Sequence, residues 1–347
     1  MKKLFALILA LSVLCSFSVI AQAADNTVAD DTAMLEENMI LAREKATTFL
    51  NDFDSSLNVT LSDPVILYNA QQEPEAASFT INDTGYIIVN LKSLRVPEFS
   101  LKKSSPFISQ DKKYIYNGPV SYYETISSTE VRSLNSGTII ETNDLAVRYN
   151  EMTADKAIKS NAERSALPED RTDKNPSRWQ TPHYCGVDDA AILLKYWDDN
   201  FNEAFIESGK ETAETFVSYL IDEKYLLDEG LSGSDIVHGS GVIFKSSTGI
   251  SDYIKDRGLS SGYAITDVSY SWSTITTQVT TNNAILLAGT DAETHPDYPN
   301  HWIIVYGYKT VSGERFLLIN DGWGDDEIYT TADSQYYPWG LVYIYEK

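Results

Sequence analysis

Residues 178–197 read RWQTPHYCGVDDAAILLKYW. A loop-like approach containing Pro182 leads to Cys185-Gly186, and an amphipathic run follows. Val187, Ala190, Ala191, Leu194 and Trp197 recur at helical spacing, which predicts a helix opened by Cys185 with Asp188, Asp189 and Asp198 off its apolar face. A thiol at a helix N-terminus sees unpaired N–H groups and the positive end of the helix dipole, and both favour thiolate. Gly186 leaves room for a substrate backbone near the sulfur. Asp188 and Asp189 suit a first turn, but their charge opposes a thiolate. A partner imidazolium would therefore matter more than the dipole.

The chain has two cysteines, and the other is Cys15. It lies in an apolar, uncharged run from Leu4 to Ile20 that follows Met1-Lys2-Lys3 and precedes Ala21-Gln22-Ala23. Basic start, apolar middle and small-x-small end together predict a secretory signal peptide over 1–23, cut after Ala23. The bulky Leu14 before Cys15 argues against a lipoprotein box. Export would leave one cysteine in an oxidising compartment, as a partner bond, a reactive thiol or a small buried hydrophobe. The formal net charge is −23, and losing Lys2 and Lys3 makes it about −25. Such a field argues against nucleic acid or anionic lipid as a partner, and no later segment reads as a membrane span.

The length suits two domains. Residues 24–154 hold an expected helix, 32–53, with Leu35, Met39, Leu41, Ala46, Phe49 and Leu50 at helical spacing. Strand-like pieces follow, PVILYN, ASFTIN, GYIIVNL and KYIYNGPVSYY, between Asn, Asp, Gly and Pro turns. Beyond the signal this half has no His or Cys, so it reads as a small α+β unit with few catalytic groups. Residues 155–178 are charged, carry two prolines and few large apolar side chains, and read as an exposed linker. A second domain, 179–347, contains Cys185.

There are four histidines. His183 sits on the loop before the cysteine, His238 in the Gly/Ser turn SDIVHGSG, and His295 in the polar loop DAETHPDYPN. His301 instead begins HWIIVYGYK, an apolar strand, where a rigid element meets a loop. The next strand, RFLLIN, ends at Asn320 and is followed by Asp321. An antiparallel pair would put the end of the second strand beside the start of the first. Asn320 or Asp321 could then orient His301, completing a nucleophile–base–orienter arrangement with Cys185. Gln180, five residues before the cysteine, can aim an amide N–H at an oxyanion together with the Cys185 backbone N–H.

Gln180…Cys185-Gly186, His301 in HWIIVYGY and the run INDGWG together resemble the papain-fold cysteine peptidases. The nearest groups are the bacterial bacteriocin-leader-processing and streptopain-like peptidases. GYIIVNLKSLRVPEFSLKKSSPF and KYIYNGPVSYYE also resemble the streptopain-like pro-segment, so the resemblance covers most of the chain. It implies an N-terminal small α+β pro-domain, then a papain-like domain in which an N-terminal helix carries Cys185 and an antiparallel sheet carries His301 and Asp321 or Asn320. Aligning on WG favours Asp321; aligning NDGWG with the streptopain-like motif favours Asn320. The Cys-to-His separation is 116 residues, near the roughly 130 of papain-like chains. Much shorter gaps belong to transglutaminase-like and cell-wall enzymes.

These residues lead us to expect an exported cysteine endopeptidase made as a zymogen. Its substrate would be a peptide or protein and its own front segment an intramolecular inhibitor, with no cofactor, metal, nucleic-acid or membrane partner after signal cleavage. The sequence CGVDD, where many relatives have CGP and a small hydroxyl residue, motivates a second reading as a catalytically degenerate peptide- or wall-binding module. A third keeps the fold and changes the acceptor, giving a transpeptidase or amidase. No HExxH, EF-hand, P-loop or dinucleotide fingerprint is present.

Overall fold

The computed structural model of the chain describes residues 33–135, 137–143, 145, 170–171, 176, 185–222, 243–281, 285–288, 302–322, 327–332 and 340–347. The signal segment and most of the linker lie outside these residues. The described chain is a mixed α+β structure.

Helix α1 (33–53) buries Ala42, Ala46, Phe49, Leu50 and Phe53. The face expected through Leu41 runs through Ala42 instead, and Leu41 is 39% exposed. Positions 42, 46, 49, 50 and 53 keep the 3.6-residue period, and 41 falls about 100° away from it. The front strands are β1 (Val65–Tyr68), β2 (Pro74–Ile81), β3 (Gly85–Asn90), β4 (Glu98–Ser100), β5 (Tyr114–Tyr116), β6 (Tyr122–Thr125), β7 (Glu130–Ser133) and β8 (Ile139–Glu141).

Strand β9 (Asp170–Arg171) falls within the stretch expected as an exposed linker and pairs with the rear segment, which contributes α2 (Cys185–Asn200), α3 (Ala213–Asp222), α4 (Ile243–Asp256), β10 (Tyr263–Val268), α5 (Trp272–Thr280) and β11 (Ile285–Ala288). Strands β12 (Trp302–Val311), β13 (Glu314–Asn320), β14 (Ile328–Thr331) and β15 (Leu341–Glu346) complete it. Gly258 closes the end of α4. Gly258 takes φ +74°, its N–H donates to the Lys255 carbonyl at 2.9 Å, and the Leu259 N–H donates to the Ile254 carbonyl at 2.9 Å. A left-handed glycine closing the last turn in this way is a common helix stop. Strand β11 lies between β12 and β15.

The strands join in one sheet, ordered β10-β15-β11-β12-β13-β14-β4-β3-β2-β1-β5-β6-β7-β8, with β9 paired to β12. The seam between the two halves is β14 with β4, antiparallel, Tyr329 opposite Phe99. The packing crosses the same seam. Phe49 meets Phe99 and Phe316 edge-to-face, with centroids 5.1 and 5.2 Å apart, and Phe99 stacks on Tyr329 at 4.8 Å. A second shared core sets Tyr86, Tyr114 and Tyr122 against Ile303, Val305, Leu317 and Ile319. Helix α2 covers the far face of the rear sheet through Ala190, Ala191, Leu194 and Trp197, against Trp302, Ile304, Val342 and Ile344. Among the described residues, no helix is long and apolar enough to cross a membrane.

Candidate functional site

Two elements converge on the expected site. Helix α2 begins at Cys185, as the sequence predicts. Strand β12 begins at Trp302, directly after His301, and pairs antiparallel with β13, Ile304 opposite Asn320. The start of β12 and the end of β13 are therefore neighbours. Gln180, His301 and the other three histidines lie outside the described residues, as does the Cys185 side chain. Asn320 and Asp321 are described, and both are fully buried.

The turn after β13 is built from its own side chain. Asn320 Oδ1 accepts the Gly322 N–H at 2.9 Å. This Asx-type bond fixes the chain direction just where Asp321 leaves the strand. Gly322 takes φ +70°, and a Cβ there would fall 2.5 Å from Asp189 Oδ1. The first turn of α2 thus rests on the turn that carries Asp321, and glycine is what permits the approach.

The placement of Asp188 and Asp189 corrects the sequence expectation. Neither is on an exposed face: they are 1% and 0% exposed. The helix is covered on both sides near its start, by its apolar stripe on the sheet and by the Asp321-Gly322 turn. Neither Asp189 oxygen has a hydrogen-bond partner. Burial, then the nearby Asp188 and Asp321 carboxylates, push the Asp189 carboxyl well above the usual carboxylate range. An unpartnered buried acid lowers its cost by keeping its proton. A neutral Asp189 adds no charge against a thiolate, so the acidic pair opposes ionisation at Cys185 less than its formal charge suggests.

Asp321 meets a cation from the front segment. Lys103 Nζ lies 3.3 Å from Asp321 Oδ2, and both side chains are largely sequestered. Behind Lys103 is a buried polar cluster. The Tyr86 and Tyr122 hydroxyls donate to Glu98 Oε1, and the Val120 N–H donates to Glu98 Oε2 at 2.7 Å. Burial raises the Glu98 carboxyl, while these donors and Lys103 hold it back. Val120 takes φ 54°, a costly conformation for a β-branched residue, which the bond to Glu98 helps to hold.

Sequence reasoning missed Lys103, Glu98 and both tyrosines. The one available signal was Glu98, a single acid between Val96 and Phe99 in an otherwise apolar stretch. The aromatics Trp302, Tyr306 and Tyr308 of β12 are buried. Among the described residues no group of three or more His, Cys, Asp and Glu side chains could hold a metal ion. No protein-family model matches the chain, and no curated protein matches it.

Proposed function

We propose that the chain is an exported cysteine endopeptidase, made with a front segment that keeps it latent. The observation that carries this reading is the convergence at Gly322. The helix that begins at Cys185 packs through Asp189 on the turn holding the buried Asp321, at the end of the strand paired with the one that follows His301. In this reading Cys185 thiolate attacks a peptide carbonyl and expels the amine through a thioester. Gln180 and the Cys185 N–H hold the oxyanion. His301 protonates the leaving amine and then activates water, with Asp321 or Asn320 orienting it.

The buried geometry favours Asp321 as the orienter, because the Asn320 carbonyl oxygen is already committed to Gly322. Asp321→Ala is expected to lower turnover further than Asn320→Ala, with partial activity left in both, since an orienter matters less than a nucleophile or base. The test is product mass analysis of a mixed peptide library, with and without iodoacetamide and with and without added amine. Cleavage that iodoacetamide stops supports the peptidase. Amine-capped products would shift the assignment to a transpeptidase, and no product from mature protein freed of its front segment would sink the enzyme reading. A larger loss in Asn320→Ala would move the orienter to that residue.

The front segment, 24–154, is proposed as the inhibitory unit. It shares a sheet and two cores with the rear segment, so cutting the 155–178 linker does not by itself separate them. Limited proteolysis in the linker is expected to give two fragments that co-migrate in native gel filtration and part only in denaturant. Separate elution under native conditions would show that the β4–β14 seam does not hold the segments together.

A further inference from the structure

Two consecutive lysines of the front segment grip both ends of residues 321–327. Lys102 Nζ lies 2.7 Å from Glu327 Oε1, and Lys103 Nζ lies 3.3 Å from Asp321 Oδ2. The lysine turn is fixed by Ser100, whose Oγ accepts the Lys102 and Lys103 N–H groups at 3.2 and 2.9 Å and donates to the Glu327 carbonyl at 2.9 Å. One hydroxyl thus serves as donor and acceptor at the seam. The two ion pairs differ in setting. Lys102 is 70% exposed, while Lys103 is 13% exposed and its partner Asp321 is 1% exposed. Water screens the first pair and barely screens the second.

The buried pair bears directly on the candidate chemistry. A carboxylate that holds an ammonium is a weaker acceptor for an imidazole N–H. The ammonium also repels an imidazolium forming beside it, so the thiolate–imidazolium pair is disfavoured while Lys103 stays. We propose that Lys103 is the latch of the precursor: its ammonium occupies the Asp321 carboxylate in the intact chain, and Cys185 becomes reactive only when that ion pair opens. This rests on the cysteine-peptidase reading of the site.

The test uses the full exported chain and follows iodoacetamide alkylation of Cys185 by intact mass, counting only uncut protein. Lys103→Met is expected to be alkylated about tenfold faster than wild type. Lys102→Met, which removes only the exposed pair, and Lys103→Arg, which keeps the charge, are expected to stay at the wild-type rate. Steric cover by the front segment alone predicts no change in Lys103→Met, and that result overturns the latch. Removing the lysine leaves a buried carboxylate, so folding is checked by thermal melting. Where Lys103→Met fails to melt cooperatively, Lys103→Gln leaves an amide donor on Asp321 without the charge and is read in the same way. Failure of the peptidase reading looks different: Cys185 then resists alkylation in every native variant and in linker-cut protein, and no peptide is hydrolysed.

Discussion

Cys185→Ala is expected to abolish the proposed peptide hydrolysis while leaving the protein folded, with turnover falling about a millionfold, as for loss of a nucleophile elsewhere. The same variant accumulates as the uncut exported chain if linker cleavage is autocatalytic, whereas wild type yields a form beginning near Trp179. The size of the effect follows from the chemistry: with no thiolate there is no acyl-enzyme, and the remaining oxyanion donors act only on slow attack by water. Position favours the thiolate here. Cys185 is the first residue of a sixteen-residue helix, the turn whose backbone N–H groups have no partner within the helix. The acids that seemed to oppose ionisation are partly silenced, because burial keeps Asp189 protonated well past the usual carboxylate range. Iodoacetamide should therefore modify Cys185 at neutral pH in native, mature protein freed of its front segment, and His301→Ala should slow the modification. Alkylation that needs prior unfolding would identify Cys185 as a buried core residue and end the enzyme reading.

What the sequence revealed, and what it hid, divides along physical lines. The helix from Cys185 and the β12–β13 hairpin were legible because long apolar runs with a clear period mark buried elements. The partnership between the ends of that hairpin followed from antiparallel geometry alone. Strand β4 was not legible. It is three residues long, and its central Phe99 is preceded by Glu98, a buried charge that no period or propensity would place in a core. Yet β4 is the strand that joins the two halves, so a chain read as two units with a linker between them forms one continuous sheet. The charged neighbours of the site were misread for a related reason. Asp188 and Asp189 look like a solvated first turn, and Lys102-Lys103 looks like a solvated loop. Only long-range contacts, Asp189 on Gly322 and Lys103 on Asp321, bring Asp189 and Lys103 inside, while Lys102 stays exposed. Sequence patterns report what each segment prefers on its own and carry little about which distant segment will cover it.

The closest of those long-range contacts yields the largest expected stability effect. Gly322→Ala meets two separate penalties. At φ +70° an L side chain costs about 1–2 kcal/mol. Its Cβ would also lie 2.5 Å from Asp189 Oδ1, and relieving such overpacking costs roughly 1–3 kcal/mol. The variant is thus expected to lose roughly 2–5 kcal/mol of unfolding free energy in urea. Its peptide turnover should fall too, because Asp321 adjoins the shifted residue. A double-mutant cycle separates the terms. Asp189→Ala removes the colliding carboxyl, so Gly322→Ala made in that background should cost only the backbone share, about 1–2 kcal/mol. pH gives an independent check on Asp189. Its folded carboxyl is raised above the unfolded value of about 3.9, so the folded state holds the proton more tightly. That advantage is present at low pH and is lost as pH rises above the unfolded value toward the folded one. Wild type should therefore lose stability relative to Asp189→Ala as pH climbs from about 4. Equal costs for Gly322→Ala in both backgrounds, together with no pH-dependent gap between wild type and Asp189→Ala, would mean that the first turn of α2 does not rest on the Asp321-Gly322 turn in solution. The convergence that carries the functional proposal would then be lost.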